Sequence, residues 1–431
     1  MFLFSVIFVI EILLNGFIVC KRIEDSSLDL NEVTYHNEPS HIYLGSPSIV
    51  RLSSGRLLAS HDFFGPGSKD QAQNVSVYAS DDNGLNWKFV SFILRTYFTS
   101  LTVYKNRVYA IGVRSGKNDS GITIHRSTDQ GHSWIYQESD QGVLLFNGRF
   151  DSGAMPIVIA NQMMYRSIEY HIGEGKWPFQ FQAALISCNL STVNQIEDDD
   201  DDDPVMSPNN WKLTPPVEFD RKWLPSTYPN LTAPGFLEGN IVILPKASSP
   251  SELRVLNVLR FNSMPLTNLS IVLELNSTSN HLSFVSIINF PGGMSKFAIR
   301  YDPITKTYLS LTNPVSVEPV IDQRNILSLC YTKDLETLDN WKVGVDRLLY
   351  DDTGLEFNDS LHYTGFHYVD WQFDHFNSFQ NQSSCDVWNC DGGPDLIYLI
   401  RTSYRGANTY HNSNRITFKT LSNYRQFISN F

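Results

Sequence analysis

Charged and amide side chains recur in this chain at the ends of short apolar runs. They are His61 and Asp62, Arg114, Arg166 and Glu169, Arg260, Asn313, and Arg401. Guanidinium groups grip carboxylates in a fork geometry, and acidic groups bind hydroxyls, so such a set gathered at one point suits an anionic or polyhydroxylated ligand. Spread over a surface, the same residues would only tie neighbouring elements together. The chemistry therefore depends on the elements that carry them.

Those elements repeat. From Gly45 to Trp87 an apolar strand, a Ser-Ser-Gly turn and a second apolar strand make a hairpin, GSPSIVRLSSGRLLASHDF. A third alternating strand, 75–79, runs into Ser80-x-Asp82-x-Gly84-x-x-Trp87. This is an Asp box: Asp and Gly close a tight turn, and the Trp packs under the sheet. It returns at Ser127, Asp129, Gly131 and Trp134. The hairpin-plus-strand order comes back five more times, with Trp211 arriving after an insertion, Phe284 in the Trp place of the fourth unit and Trp341 ending the fifth. Hardly any segment carries helical periodicity. The reading is an all-β, six-bladed β-propeller. In such a ring the start of each inner strand and the end of each second strand meet near the axis, which gathers the side chains named above on one face. The segment 33–44 is expected to supply an edge strand joining the last blade to the first. The Asp run at 198–203 reads as a solvated loop in blade three.

At 431 residues the chain can bury a large core. A formal charge of -12, with 18% charged and 13% aromatic residues, argues against nucleic acid and suits a glycan-facing protein. Residues 1–22 read as a secretory signal peptide or, alternatively, a signal anchor, with 23–43 as an N-terminal segment and 44–431 as the propeller. No other membrane segment is expected. Eight Asn-x-Ser/Thr sequons, at Asn74, Asn118, Asn189, Asn230, Asn268, Asn276, Asn358 and Asn381, are glycosylation candidates in a secreted or lumenal protein. Cys385 and Cys390 bracket a short polar loop and are the disulfide candidates. No cluster of ligands suggests a metal, and no cofactor is expected.

Asp boxes on a six-bladed propeller resemble the sialidase (neuraminidase) superfamily, from about Leu44 onward. The resemblance implies an arginine triad on the carboxylate of sialic acid, a Tyr nucleophile helped by a Glu, and an Asp acid/base. Tyr serves because a carboxylate nucleophile would be repelled by the substrate's own carboxylate, an exception to the usual carboxylate pair. By this resemblance KDQAQNVSVYASD gives Asp70 as acid/base, LEGNIVIL gives Glu238, VLNVLR gives Arg260, and LTNPVSVEPVIDQRNILSL gives Arg324. GFHYVDWQFD opens blade six, where a gap-free match for the nucleophile falls near Phe366, and Tyr363 and Tyr368 are its neighbours; Tyr368 takes the role. Two further positions depart from the family. Gly45 stands where the first triad Arg precedes a Pro, and Arg401 replaces a Glu of blade six. Arg401, on the adjoining blade, is expected to fill the space over Gly45 and contact the ligand, with Asp62 and Arg166 completing the binding set.

The function this implies is a secreted, exo-acting glycoside hydrolase that removes a terminal, anionic sugar from glycans. The alternative is a non-catalytic glycan-binding propeller with Trp371, Tyr404 and Tyr410 as stacking surfaces. A protein-interaction scaffold or a lyase is a third reading, which fold alone does not exclude.

Overall fold

The computed structural model describes residues 28, 30–68, 74–114, 120–134, 142–173, 177–191, 203–246, 249–317, 320–334, 336–351, 357–374 and 393–428. The expected signal segment, Asp70, Asn118, Asn381, Cys385 and Cys390 lie outside these residues.

Six antiparallel sheets follow one another along the chain, and each is one blade. The inner and second strands are Ser48–Arg51 with Leu57–His61, Tyr97–Tyr104 with Arg107–Arg114, and the short Phe150–Asp151 and Val158–Ala160 with Met163–His171. They continue as Gly235–Lys246 with Ser249–Asn262, Ala298–Asp302 with Thr307–Thr312, and Gly365–Phe373 with Leu396–Ser403. Asn31–Tyr35 pairs antiparallel with Arg415–Leu421 and is the outermost strand of blade six.

The local sequence explains the hairpins. Lys105-Asn106 and Asn161-Gln162 both have positive φ at the two central residues, the backbone of tight primed turns whose twist matches the flanking strands. Second strands such as Arg107–Arg114 and Leu396–Ser403 are buried along their whole length, because neighbouring blades cover both faces. The core accordingly lies between blades. Ile49, Leu57 and Ala59 of blade one pack with Ile397, Leu399, Ile416 and Phe418 of blade six.

The two Ser-x-Asp-x-Gly turns are closed from inside. Ser80 Oγ donates to Asp82 (2.8 Å) and accepts from Gly84 N (2.8 Å); Ser127 does the same with Asp129 and Gly131. Gly84 has φ +84, and a Cβ there would stand 2.1 Å from the Phe418 ring, so this turn seats directly on blade six.

Three expectations need correction. Asp203, the end of the acidic run, is buried: Tyr109, Arg126 and Arg107 converge on its Oδ2, which makes it an anchor under blade two. Trp371 is fully buried with its indole N–H on Ala298 O, and Tyr404 is buried too, so neither offers a stacking surface. Among the sequons, Asn189, Asn230 and Asn276 are exposed, whereas Asn268 is half-buried and spends its amide on Val315 O, Gly292 N and Val315 N.

Candidate active site

The inner strands of blades two, four and six each break register near their start, between Tyr97 and Ser100, Leu237 and Gly239, and His367 and Asp370. In each bulge one residue takes a left-handed backbone: Phe98 (φ +50), Glu238 (φ +53) and Tyr368 (φ +54). Such a backbone costs on the order of 1–3 kcal/mol for a non-glycine residue and persists only where the surroundings hold it. A bulge re-aims one side chain out of the alternation of its strand. In blades four and six it brings together two residues 130 positions apart.

Tyr368 Oη donates to Glu238 Oε1 (2.7 Å), and Arg260 Nη1 donates to Glu238 Oε2 (2.9 Å) and to Tyr368 Oη (3.3 Å). Arg324 and Arg401 flank the same phenol, with Cζ 6.0 and 4.8 Å from its ring centroid. Arg401 also lies 4.3 Å over Phe64 and is held by Ser413 Oγ (3.1 Å) and His411 O (2.6 Å). Arg324 donates to His367 Nδ1 (3.1 Å); burial and the surrounding arginines keep His367 well below its ordinary pKa, so the neutral ring can accept. All three arginines are buried, and Tyr368 is the most exposed member of the cluster. Arg260 is paired with Glu238; Arg324 and Arg401 make no ion pair among the described residues. Burial, helped by the Glu238 charge, raises the Tyr368 pKa, so the phenol rests protonated on its carboxylate partner.

Three more carboxyls, Asp62, Asp151 and Glu169, lie within electrostatic reach of the cluster. Asp151 stands directly across from Glu169 in the blade-three ladder, so their side chains share a face. The Asp151–Gly153 turn packs on Glu238: a Cβ on Gly153 would be 3.6 Å from Glu238 Oε1. Glu169 Oε1 accepts from Gly239 N (3.2 Å), while its buried Oε2 has no partner among the described residues. Desolvation lifts Asp62 to about 6, Asp151 to about 7 and Glu169 to about 8, with the neighbouring carboxylates adding to the last two.

These shifts fix a pH dependence of stability. Raised carboxyls make the folded chain hold more protons than the unfolded one, so their contribution falls as pH rises from about 4 to 8. Buried His61, His125 and His367, and His411 beside Arg401, are depressed and act oppositely, but only below their unfolded value of 6.5. Buried Lys296, lowered to about 8, acts only above that value. Between pH 6.5 and 8 the carboxyls act alone. The melting temperature should therefore fall by roughly 5 °C across that interval, and Glu169→Gln should remove much of the fall. A melting temperature that rises there would contradict the assignment.

Two residues expected at the ligand are scaffold instead. Arg166 is fully buried and donates to Ile111 O (2.7 Å), Phe98 O (2.7 Å) and Gly153 O (3.1 Å), so its charge braces three backbone segments. Asp62 is buried and accepts from Ser46 N (2.6 Å) and Phe98 N (2.7 Å). It also occupies the space expected for Arg401: a Cβ on Gly45 would lie 1.7 Å from Asp62 Oδ1. Arg401 reaches that corner only through Ser413, which bonds Leu44 O. Gly45→Ala should accordingly destabilise the fold by about 2 kcal/mol or more, by pushing Asp62 off both amides, as chemical denaturation would show.

A scan against protein-family models finds no match, and a search of curated protein sequences finds none either. Solved structures do match. An α-L-arabinanase of Penicillium chrysogenum complexed with arabinobiose is similar at TM-score 0.53 and 13% identity, over 91% of this chain and 97% of that one. A Hadza microbial sialidase matches at TM-score 0.53 and 11% identity, over 91% and 68%. The sialidase of Trypanosoma rangeli in complex with the inhibitor DANA matches at 0.50 and 12%, over 90% and 56%. The chain shares the six-bladed propeller fold of these glycosidase structures. At such identities the likeness speaks for the fold, and what each side chain does rests on this chain's own geometry.

Sequence reasoning about this propeller missed Asp151, His367, Phe64 and Trp177, all of which touch or border the cluster. Asp151 lies on a two-residue strand too short to show alternation. Phe64 was legible in principle, since it sits two residues beyond Asp62 at a second-strand end. His61 and Asn313 do lie where expected, but His61 bonds Asp62 O and Asn313 bonds Ile326 O and Phe366 O.

Proposed function

We propose that this protein is an exo-acting glycoside hydrolase that removes a terminal, carboxylate-bearing sugar from glycans. The observation that carries the proposal is the convergence of three buried guanidiniums on the Tyr368–Glu238 pair, two of them without an ion-pair partner among the described residues. Buried charge without a counter-ion is costly, and a ligand carboxylate relieves that cost. Tyr368 Oη attacks the anomeric carbon while its proton passes to Glu238 Oε1, and Arg260 supports the developing phenolate. Asp70 protonates the leaving-group oxygen, then draws the proton from the water that cleaves the glycosyl–Tyr368 bond. Two displacements retain the anomeric configuration. The apolar N-terminus and the exposed sequons at Asn189, Asn230 and Asn276 support action along the secretory route or outside the cell.

A second reading is favoured by the Asp151–Glu169 pair. Carboxyls lifted to about 7 and 8 are protonated near neutrality, as a general acid must be. Glu238 would then attack directly, on a neutral sugar such as the arabinose units bound by the similar arabinanase. The deciding experiment is turnover of fluorogenic sialosides, uronides and α-L-arabinofuranosides, with Asp70→Ala and Glu238→Gln as controls. Sialoside or uronide release that both variants abolish supports the first reading, and release confined to arabinofuranosides supports the second. Glycan binding without any release would make the protein a lectin.

A further inference from the structure

The two outer strands of blade one, Asn74–Ser80 and Lys88–Leu94, have one covered face and one open face. On the covered face Val75, Val77 and Ile93 are buried in one core with Leu101, Val108 and Ala110 of blade two. On the other face the ladder sets Asn74 across from Leu94, Ser76 across from Phe92 and Tyr78 across from Phe89. Phe89 and Phe92 are 49% and 44% exposed, and their ring centroids lie 4.7 Å apart. Phe89 also meets the Tyr78 ring edge-on at 5.7 Å, and Tyr78 Oη donates to Thr34 Oγ1 (3.1 Å) on the outermost strand of blade six. The aromatic pair is thus fixed beside the seam between two blades and left to water. Single exposed apolar side chains are ordinary on a protein surface, whereas two rings in contact on a rigid sheet suit a partner that covers them.

We propose that Asn74 carries an N-linked glycan whose first N-acetylglucosamine lies on Phe92 and, beyond it, Phe89. The inference rests on passage of the chain through the secretory route and is independent of the hydrolase reading. Asn74-Val75-Ser76 is a sequon, and Asn74 is partly exposed. Asn74 and Phe92 are diagonal neighbours on one face, a separation that long side chains span, and a sugar on Nδ2 lengthens the Asn side chain. Asn74 Oδ1 accepts from Arg95 N (3.5 Å), while Nδ2 has no hydrogen-bond partner among the described residues. In the attachment Nδ2 displaces the pyrophosphate of a lipid-linked oligosaccharide at C1 of its N-acetylglucosamine. The N–C1 bond forms, the C1–O bond breaks, the pyrophosphate leaves with the electron pair, and the amide gives up one proton. Ser76 is buried in the folded blade, so attachment precedes folding. The C–H face of the sugar then covers the rings, which are rigid and offer contact area at little entropic cost, and its polar groups stay in water.

The test uses the full chain expressed in a eukaryotic cell. Peptide mass mapping after peptide-N-glycosidase treatment in heavy-oxygen water should find Asn74 converted to a labelled aspartate. An unlabelled position 74 overturns the proposal, whether or not other sequons are occupied; where none is, the secretory reading falls with it. On the folded protein, peptide-N-glycosidase should release the Asn74 glycan roughly three- to tenfold faster in Phe92→Ser than in the wild type, and Phe92→Tyr should restore the slow rate. Release from any other occupied sequon should not change, and the melting temperature should stay close to that of the wild type because Phe92 is exposed. Equal release rates in Phe92→Ser and the wild type overturn the stacking. If sedimentation instead finds a wild-type dimer that Phe92→Ser dissociates, a second copy covers the rings and the proposal fails.

Discussion

Tyr368→Phe should lose at least about 10³-fold in kcat while keeping the melting temperature of the wild type. The substitution removes one oxygen, which gives its hydrogen to Glu238 Oε1 and receives one from Arg260. Shape and packing stay the same, and the Arg260–Glu238 ion pair stays closed through Oε2, so no buried charge is orphaned. Only the nucleophile goes. A fluorosugar inactivator should label the peptide containing Tyr368 in the wild type and leave the variant unlabelled. If Tyr368→Phe keeps more than about a tenth of the activity while Glu238→Gln is inactive, Glu238 is the attacking group and the carboxylate-pair reading holds instead.

Arg401→Ala should raise KM for a carboxylate-bearing substrate by roughly 10- to 100-fold, the worth of a charge-assisted hydrogen bond at about 1.5–3 kcal/mol. Arg401 has no acidic partner within bonding reach among the described residues, and its guanidinium carbon lies 4.3 and 4.8 Å from the Phe64 and Tyr368 ring centroids, so its charge is open to a ligand anion. Lysine should not rescue it, because a point charge on a flexible stem neither stacks between two rings nor donates a planar fork. The variant should bind neutral glycosides as the wild type does. Equal losses on neutral and anionic substrates would mean that Arg401 only supports Tyr368, and would remove the argument for an anionic sugar.

Glu238 and Arg324 were reached only through the resemblance to sialidases, and Arg260 also as the end of a second strand; the structure brings all three around Tyr368. Tyr368 was legible only as one of several neighbours around Phe366. The bulge between His367 and Asp370 adds one residue to the inner strand and re-aims Tyr368, whereas Phe366, where a gap-free match falls, is fully buried. Trp371 misled for the same reason: beyond the bulge its side chain turns into the core.

The sequence alone determined that this chain is all-β, that six units of one design close into a ring, and that arginines and acids end the strands facing the axis. Those features follow from local periodicity and turn chemistry, which neighbouring residues dictate. Tertiary structure alone decided which of those charges meets a ligand. Arg166, midway along its strand, and Asp62, just past the end of its own, were both expected at the ligand, yet backbone carbonyls and amides claim them. Asp151 meets Glu169 by ladder register, and Trp177 meets Arg260 across two blades. The first contact is set by strand-pairing register within blade three, and the second by how blades three and four pack; neither can be read from the pattern within any one strand.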